Sequence, residues 1–206
     1  GWSQRGATGW SFADVLPYFR KIEAFDGGDP ELRGRDGPMS IVTVSEHPEL
    51  ADAFIAAGGA AGYPMHNDYN GASQEGFGYY QANQRNGRRW TVVQGYLDPA
   101  RRRPNLTVET DAHVTDLVME GRRVTGVRYR VRGDEREAHA GGEVILAAGA
   151  VQSPHILELS GIGRPDVLGA IGVPVRHALP GVGENYVDHY CTRMNWRIRK
   201  PITLNE

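Results

Sequence analysis

Cysteine is nearly absent. A single one, Cys191, stands among 206 residues, which excludes a disulfide framework and any cysteine-based zinc cluster. As a lone thiol it is expected to be a small core residue. Lysine is almost as scarce. Only Lys21 and Lys200 occur, and the rest of the 23 basic residues are arginines, a bias expected of a GC-rich, bacterial coding sequence. No run of about 18 apolar residues exists, so no membrane-spanning helix is expected. No basic-then-apolar leader opens the chain at Gly1-Trp2-Ser3, and the expected location is the cytoplasm. The start also lacks methionine, so the chain reads as an interior piece of something longer. An excess of positive charge is missing too. Twenty-three basic residues face 25 acidic ones, for a net charge of −2, which excludes a nucleic-acid binder held by bulk charge.

Glycine and proline are plentiful, at 27 and 12 residues, above the ordinary share of about 12%. Tight turns and close backbone approaches follow. Apolar residues make up 40%, enough for a core in a chain of this length, which buries about 70% of its unfolded surface.

Helix and strand patterns alternate along the chain. Phe12, Val15, Leu16, Phe19 and Ile22 recur at helical spacing behind a Ser11/Asp14 capping box, although Pro17 should kink or restart that helix. Met39–Val44 reads as a strand. Pro48 should open a second helix at its first position, with Leu50, Ala53, Phe54 and Ala57 as its buried stripe and Gly58 and Gly59 weakening its end. Residues 62–90 are a long irregular stretch with Asn-Gly turns at 70–71 and 86–87. From Asn105 the texture turns to β: Leu106-Val108-Thr110, Val114–Val118 and Val124–Val131 read as strands. Val127, Tyr129 and Val131 alternate with arginines, giving one solvated face, and Gly121 and Gly133 turn the strands into a meander. Val144–Ala148 is apolar on both faces and reads as a central parallel strand. Ser153-Pro154 should start the next helix and Gly161 end it. A short helix near 166–171 and a strand near 173–177 follow. The fold class is mixed α/β.

Chemistry concentrates at the end of the Val144–Ala148 run. Gly149 and Ala150 carry side chains no larger than methyl, and ligands bind beyond the carboxyl ends of parallel strands. An ordinary strand-to-helix turn packed on protein is the competing reading. The seven histidines, at 47, 66, 113, 139, 155, 177 and 189, show no metal-ligand spacing, so no metal site is expected. Arg101-Arg102-Arg103 reads as a solvated turn before Pro104. Asn105-Leu106-Thr107 matches a glycosylation sequon but begins a strand. No Gly-x-Ser-x-Gly elbow supports a hydrolase.

Gly149-Ala150, Ser153-Pro154, Ile156-Leu157 and Ser160-Gly161-Ile162-Gly163 resemble, without an exception, the second signature of the glucose–methanol–choline (GMC) flavoprotein oxidoreductases. Gly9-Trp10-Ser11, Asp14–Phe19 and Gly37-Pro38 resemble an earlier stretch of the same family. Gln74–Gly78, Tyr96-Leu97 and Arg103–Val108 resemble its middle, and Leu179–His189 resembles its Gly-x-Asn-Leu-Gln-Asp-His segment, with Tyr186 and Val187 in place of Leu and Gln. Thr91 stands where Ser is common. The likeness covers most of residues 1–190 and is closest to the choline and alcohol dehydrogenase branch. The family's first Gly-x-Gly-x-x-Gly turn has no counterpart. Gly181–Tyr186 imitates it but lacks the third glycine and the strand-then-helix context.

The resemblance implies FAD as cofactor, a small-molecule alcohol as substrate and oxidation to an aldehyde or ketone. It implies a connecting segment with a helix over 1–37, part of a substrate-binding domain over 38–104, part of the FAD-binding domain over 105–190, and a return to the substrate domain over 191–206. Val114 matches the position whose backbone meets the adenine. Ala148 and Gly149 match the strand end near the ribose and phosphates, and Asn185 and Asp188 the segment that returns to the flavin. His189 shapes the flavin surroundings without doing the chemistry. No catalytic residue is assigned here, because the family's histidine base would lie beyond Glu206; the chain alone is expected to be inactive, with the remainder of its parent chain as partner. Two other readings remain: another two-domain flavoprotein dehydrogenase, and a truncated remnant that acts as a non-catalytic binding module.

Overall fold

The computed structural model describes residues 1–192, 195–200 and 202. Two compact units divide the chain, Gly1–Thr107 with Asn195–Glu206, and Val108–Met194. Among the described residues, no helix is long and apolar enough to cross a membrane.

The first unit is built from short elements tied by side chains. Helix α1 (Phe12–Ile22) starts on the expected capping box. The Ser11 amide donates to Asp14 Oδ2 at 2.9 Å and the Asp14 amide to Ser11 Oγ at 3.3 Å. The Ser11 hydroxyl, which donates to Asp14 Oδ2 at 2.6 Å, and after it the Ser11 amide hold the Asp14 carboxyl below its usual pKa. Pro17 does not restart the helix, which continues past it. Only Val15 and Leu16 of the apolar positions are half-buried, and Phe12, Phe19 and Ile22 are exposed. The stretch Met39–Val44 is two strands, not one. Strand β1 (Glu23–Ala24) pairs in parallel with β2 (Met39–Ser40). Strand β3 (Val42–Thr43) pairs antiparallel with β4 (Gln81–Ala82).

Helix α2 (Glu49–Ala60) has Pro48 as its N-cap rather than its first residue. Its buried stripe also differs from expectation. Ala53, Phe54 and Ala57 are exposed, and the half-buried to buried positions are Leu50, Ala51, Ile55, Gly58 and Gly59. Gly58 decides this. A Cβ there would lie 2.5 Å from the Phe77 ring, so the bare backbone seats that ring and turns the helix accordingly. Strands β5 (Gln84–Arg85) and β6 (Arg88–Arg89) form a hairpin. Asn86 and Gly87 both have positive φ, the requirement of a two-residue type I′ turn. A π turn, Val93–Leu97, runs into α3 (Asp98–Ala100).

Arg33 binds three segments of this unit. It is 3% exposed. Its Nε and Nη2 donate to the two Glu23 oxygens at 2.9 and 2.7 Å, its Nη1 donates to Asp68 Oδ1, and its guanidinium lies 4.3 Å from the centre of the Phe25 ring. Burial pulls the guanidinium's pKa down, but hydrogen bonding and charge from Glu23, with Asp68, outweigh it and hold it above the ordinary value.

The second unit is a meander with a helix packed on it. Strands β7 (Ala112–Glu120), β8 (Arg123–Val131) and β9 (Asp134–His139) form one antiparallel sheet in that order. The alternation along β8 holds, and two of its arginines are paired: Arg128 with Asp116 and Glu137 at 2.7 and 2.9 Å, Arg130 with Glu135 at 2.8 Å. Edge strand β9, Asp-Glu-Arg-Glu-Ala-His, is exposed throughout, and its charges discourage further pairing on that side. Helix α4 (Gly149–Leu159) packs on β7. Leu117, Ile156, Ile162 and Val182 form the buried cluster, with Val114, Val127, Val144 and Leu146 against it. Gly161 ends the helix at φ +80°, and a Cβ would meet the Pro174 carbonyl at 2.5 Å. Then come β10 (Ile162–Gly163), α5 (Pro165–Ala170) with Leu168 fully buried, and β11 (His177–Ala178), parallel to β10.

Several expectations fail here. Among the described residues, 106–110 and 144–148 belong to no strand and pair with none. Leu106, Val108 and Ile145 are exposed, Ile145 at 79%. A central strand needs a neighbour on each edge, and the described residues supply neither. Helix α4 begins at Gly149, not at Ser153: it takes in Pro154 despite the lost amide bond and the ring against the preceding turn, and Ser153 Oγ accepts from the Ala148 amide just before the helix. Cys191 is exposed, in a stretch without ladder partners that offers no core to enter.

Candidate functional site

The expected ligand edge is the junction between residues 144–148 and α4. Val144 and Leu146 anchor this segment on the core cluster and Ile145 points away. Ala148 is the N-cap, with φ −84° and ψ 7°, and no side chain caps the helix start. The Ala148 amide donates to Ser153 Oγ at 3.1 Å, which explains the serine of the Ser153-Pro154 pair. Gly149 has φ +87°, and a Cβ built on it meets nothing within 4 Å. The first turn carries no acidic residue. The result is an open helix N-terminus with small flanking residues. Such an end bears partial positive charge and unpaired amides, and can receive an anionic group such as a phosphate.

The other assigned residues divide. Val114 lies in β7, paired with Tyr129, and its side chain packs on the core cluster, so its backbone is what remains for contact. Asn185, at φ +57°, and Asp188 are exposed on a stretch without ladder pairing. Asp188 Oδ1 accepts from the His189 amide at 2.7 Å. Ala148 and Gly149 stand together at the helix end. Neither Asn185 nor Asp188 has a hydrogen bond to that end among the described residues.

Gly181–Tyr186 serves packing rather than phosphate. Val182 belongs to the core cluster. A Cβ on Gly183 would lie 2.7 Å from Glu158 Oε1, so the glycine makes room for a carboxylate, which would repel a phosphate. Glu184 pairs with Arg164 at 3.0 Å, and Arg164 also holds Asp166. Hydrogen bonds to these two acids raise the guanidinium's pKa, and the bond to Arg164 lowers that of Asp166.

Ser160 is the structural residue that sequence reasoning left without a role. It is buried, its Oγ accepts from the Leu117 amide at 2.8 Å, and it donates to the Ile156 carbonyl at 2.6 Å. It welds the C-terminal end of α4 to β7. A serine fixed between an aliphatic run and a Gly-aliphatic-Gly was the signal available. Ser160→Ala is expected to cost about 1–3 kcal/mol, because the Leu117 amide stays buried without a partner. Urea denaturation measures this, and a change below about 0.5 kcal/mol would contradict the weld.

Comparison with known proteins shows the family. The model of the GMC oxidoreductase family matches residues 1–191. An oxygen-dependent choline dehydrogenase of Chromohalobacter salexigens is 45% identical over 201 residues, covering 97% of this chain and 36% of the relative. The mitochondrial choline dehydrogenase of Homo sapiens is 42% identical over 204 residues, 99% of this chain and 34% of its own. Pyridoxine 4-oxidase from Mesorbium loti superposes with a TM-score of 0.75 at 36% identity, over 83% of this chain and 34% of that one. An FAD-dependent oxidoreductase from Chaetomium thermophilum superposes with a TM-score of 0.78 at 29% identity, over 87% and 34%. The chain thus spans about a third of the length of the curated relatives it matches. With a family match running from the first residue through the whole of the α4 signature, and the Ser153 and Ser160 bonds giving that signature a physical purpose, the chain belongs to the GMC oxidoreductase family.

Proposed function

We propose that this chain is part of an FAD-dependent enzyme that oxidises the CH–OH group of an alcohol to an aldehyde or ketone. The observation that carries the reading is the uncapped start of α4, with Gly149 at φ +87° and open space in front of it. The residues fit the cofactor. A flavin dinucleotide has a pyrophosphate to place at a helix N-terminus, and nothing larger than methyl at Ala147, Ala148, Gly149 and Ala150 stands in its way. In this reading Ala148 and Gly149 face the ribose and phosphates, the Val114 backbone the adenine, and Asn185 and Asp188 the flavin side. Residues 38–104 form part of the substrate domain, 105–190 part of the FAD domain, 191–206 return to the substrate domain, and 1–37 connect.

Bound flavin would supply the hydride acceptor. The work of this chain's residues is to bind and orient. The α4 amides present donors to an anion, the core cluster fixes the direction of that helix, and Ser160 keeps helix and sheet from sliding. None of the seven histidines is the base that takes the hydroxyl proton. In the complete enzyme His155→Ala and His177→Ala should therefore leave turnover within about tenfold, since loss of a general base costs roughly 10²–10⁴-fold.

The test is spectroscopic. The complete enzyme should bleach its visible flavin band when mixed with a primary alcohol under anaerobic conditions. The 206-residue chain alone should elute from gel filtration without stoichiometric flavin, because no Gly-x-Gly-x-x-Gly turn stands in it to cradle the pyrophosphate and, among the described residues, no strand pairs with 144–148. A complete enzyme without flavin, or one whose flavin is not reduced by any alcohol, overturns the reading.

A further inference from the structure

Glu158 is the acidic residue of α4, and it stands in the last turn, one position before the end. Helix C-termini favour cations, so the position calls for another reason. The residue is half-buried, and its side chain threads between two glycines. A Cβ on Gly163 would lie 3.3 Å from its Cγ, and a Cβ on Gly183 would lie 2.7 Å from its Oε1 and 3.4 Å from its Cδ. Both glycines leave room that this side chain fills. Glu158 makes no ion pair among the described residues; Arg164, next to Gly163 in sequence, is taken by Asp166 and Glu184. What Glu158 contributes here is shape, not charge.

Gly183 ends a turn that is anchored behind it and loosely held ahead of it. Behind, the Leu179 amide donates to the Gly163 carbonyl at 2.9 Å, and Val182 is buried in the core cluster. Ahead, residues 184–192 belong to no helix or strand. The backbone passes through positive φ at Gly183, +76°, and again at Asn185, +57°, so the chain takes its new direction here. Asp188 lies five residues beyond Gly183. Over that reach, up to about 17 Å, a swing of about 4° at the turn shifts Asp188 by about 1 Å.

We propose that Glu158 is a positioning residue: wedged between Gly163 and Gly183, it sets the direction in which the chain leaves the turn, and with it the placement of Asn185 and Asp188. The proposal rests on the reading that puts these two residues on the flavin side.

The complete enzyme tests it. Glu158→Ala empties the wedge and keeps the helix, since alanine is the best helix former. Turnover of the alcohol should fall by roughly 10- to 100-fold, the scale of a displacement of about 1 Å, and the visible circular dichroism of the bound flavin should change. Glu158→Gln, which keeps the shape, should restore turnover to within about threefold of the parent. Gly183→Ala presses on the same contact from the other side. Its positive-φ strain is common to both backgrounds and cancels in a double-mutant cycle, so it should lower the unfolding midpoint less in Glu158→Ala than in the parent. Parent-like turnover and flavin dichroism in Glu158→Ala, a Glu158→Gln variant as impaired as Glu158→Ala, or an equal cost of Gly183→Ala in both backgrounds would each overturn the proposal. A parent enzyme without flavin overturns the functional reading and this proposal together, whereas a flavin-loaded parent with an unimpaired Glu158→Ala variant overturns this proposal alone.

Discussion

Gly149→Val in the complete enzyme is expected to weaken FAD binding by two to four orders of magnitude while the protein stays folded. The two halves of that expectation have separate physical causes. Gly149 sits at φ +87°, a region closed to a β-branched side chain without strain, so the turn before α4 must deform and misdirect the first amides of the helix. Losing two charged hydrogen bonds at roughly 1.5–3 kcal/mol each gives about that loss of affinity. Stability suffers less. A Cβ at this position meets no atom of the chain within 4 Å, so only the backbone strain, of order 1–3 kcal/mol, is felt. Flavin titration and far-UV circular dichroism on one sample separate the two effects. A folded variant that binds FAD like the parent would show that Gly149 does not face the cofactor. Gly149→Ala, which keeps the small size but not the φ preference, should fall between.

Arg33→Met should be the most destabilising single change in the first unit, at about 3–5 kcal/mol, the cost of leaving buried charges without their partner. It strands both Glu23 and Asp68, and removes the guanidinium from the Phe25 ring. For a chain of this size the melting midpoint should drop by roughly 6–20 °C. Arg33→Lys should recover only part. A lysine ammonium cannot reproduce the fork that reaches both Glu23 oxygens and Asp68 at once. Urea denaturation of the three proteins checks the order, and an Arg33→Met variant within 1 kcal/mol of the parent would show that the group is not what holds these segments together.

Local rules made much of this structure legible in the sequence. The Ser11/Asp14 box, the Asn86-Gly87 hairpin, the Val/Arg alternation of β8 and the Gly161 terminus all concern residues within a few positions of one another. Their geometry is fixed by side-chain period, by positive φ and by cap chemistry, none of which needs a distant partner. The motif from Gly149 to Gly163 was readable for the same reason, since small turn, helix and glycine terminus follow one another directly.

The tertiary structure decided what depends on a neighbour. The α2 stripe turned on Phe77, which arrives from 19 positions beyond Gly58. Ser160 acquired its meaning from the Leu117 amide across the fold, and Arg33 from an aspartate 35 positions away. The sharpest case is 144–148. Its composition is that of a strand covered on both faces, and composition reports the environment for which a segment was selected. Pairing requires strands beside it, and among the described residues Ile145 stands 79% exposed with no ladder on either edge. By itself the sequence determined the family, the turns, the caps and the meander, because these are short-range. Only the tertiary structure decided which apolar faces are covered, since burial belongs to a pair of surfaces and a sequence pattern describes one of them.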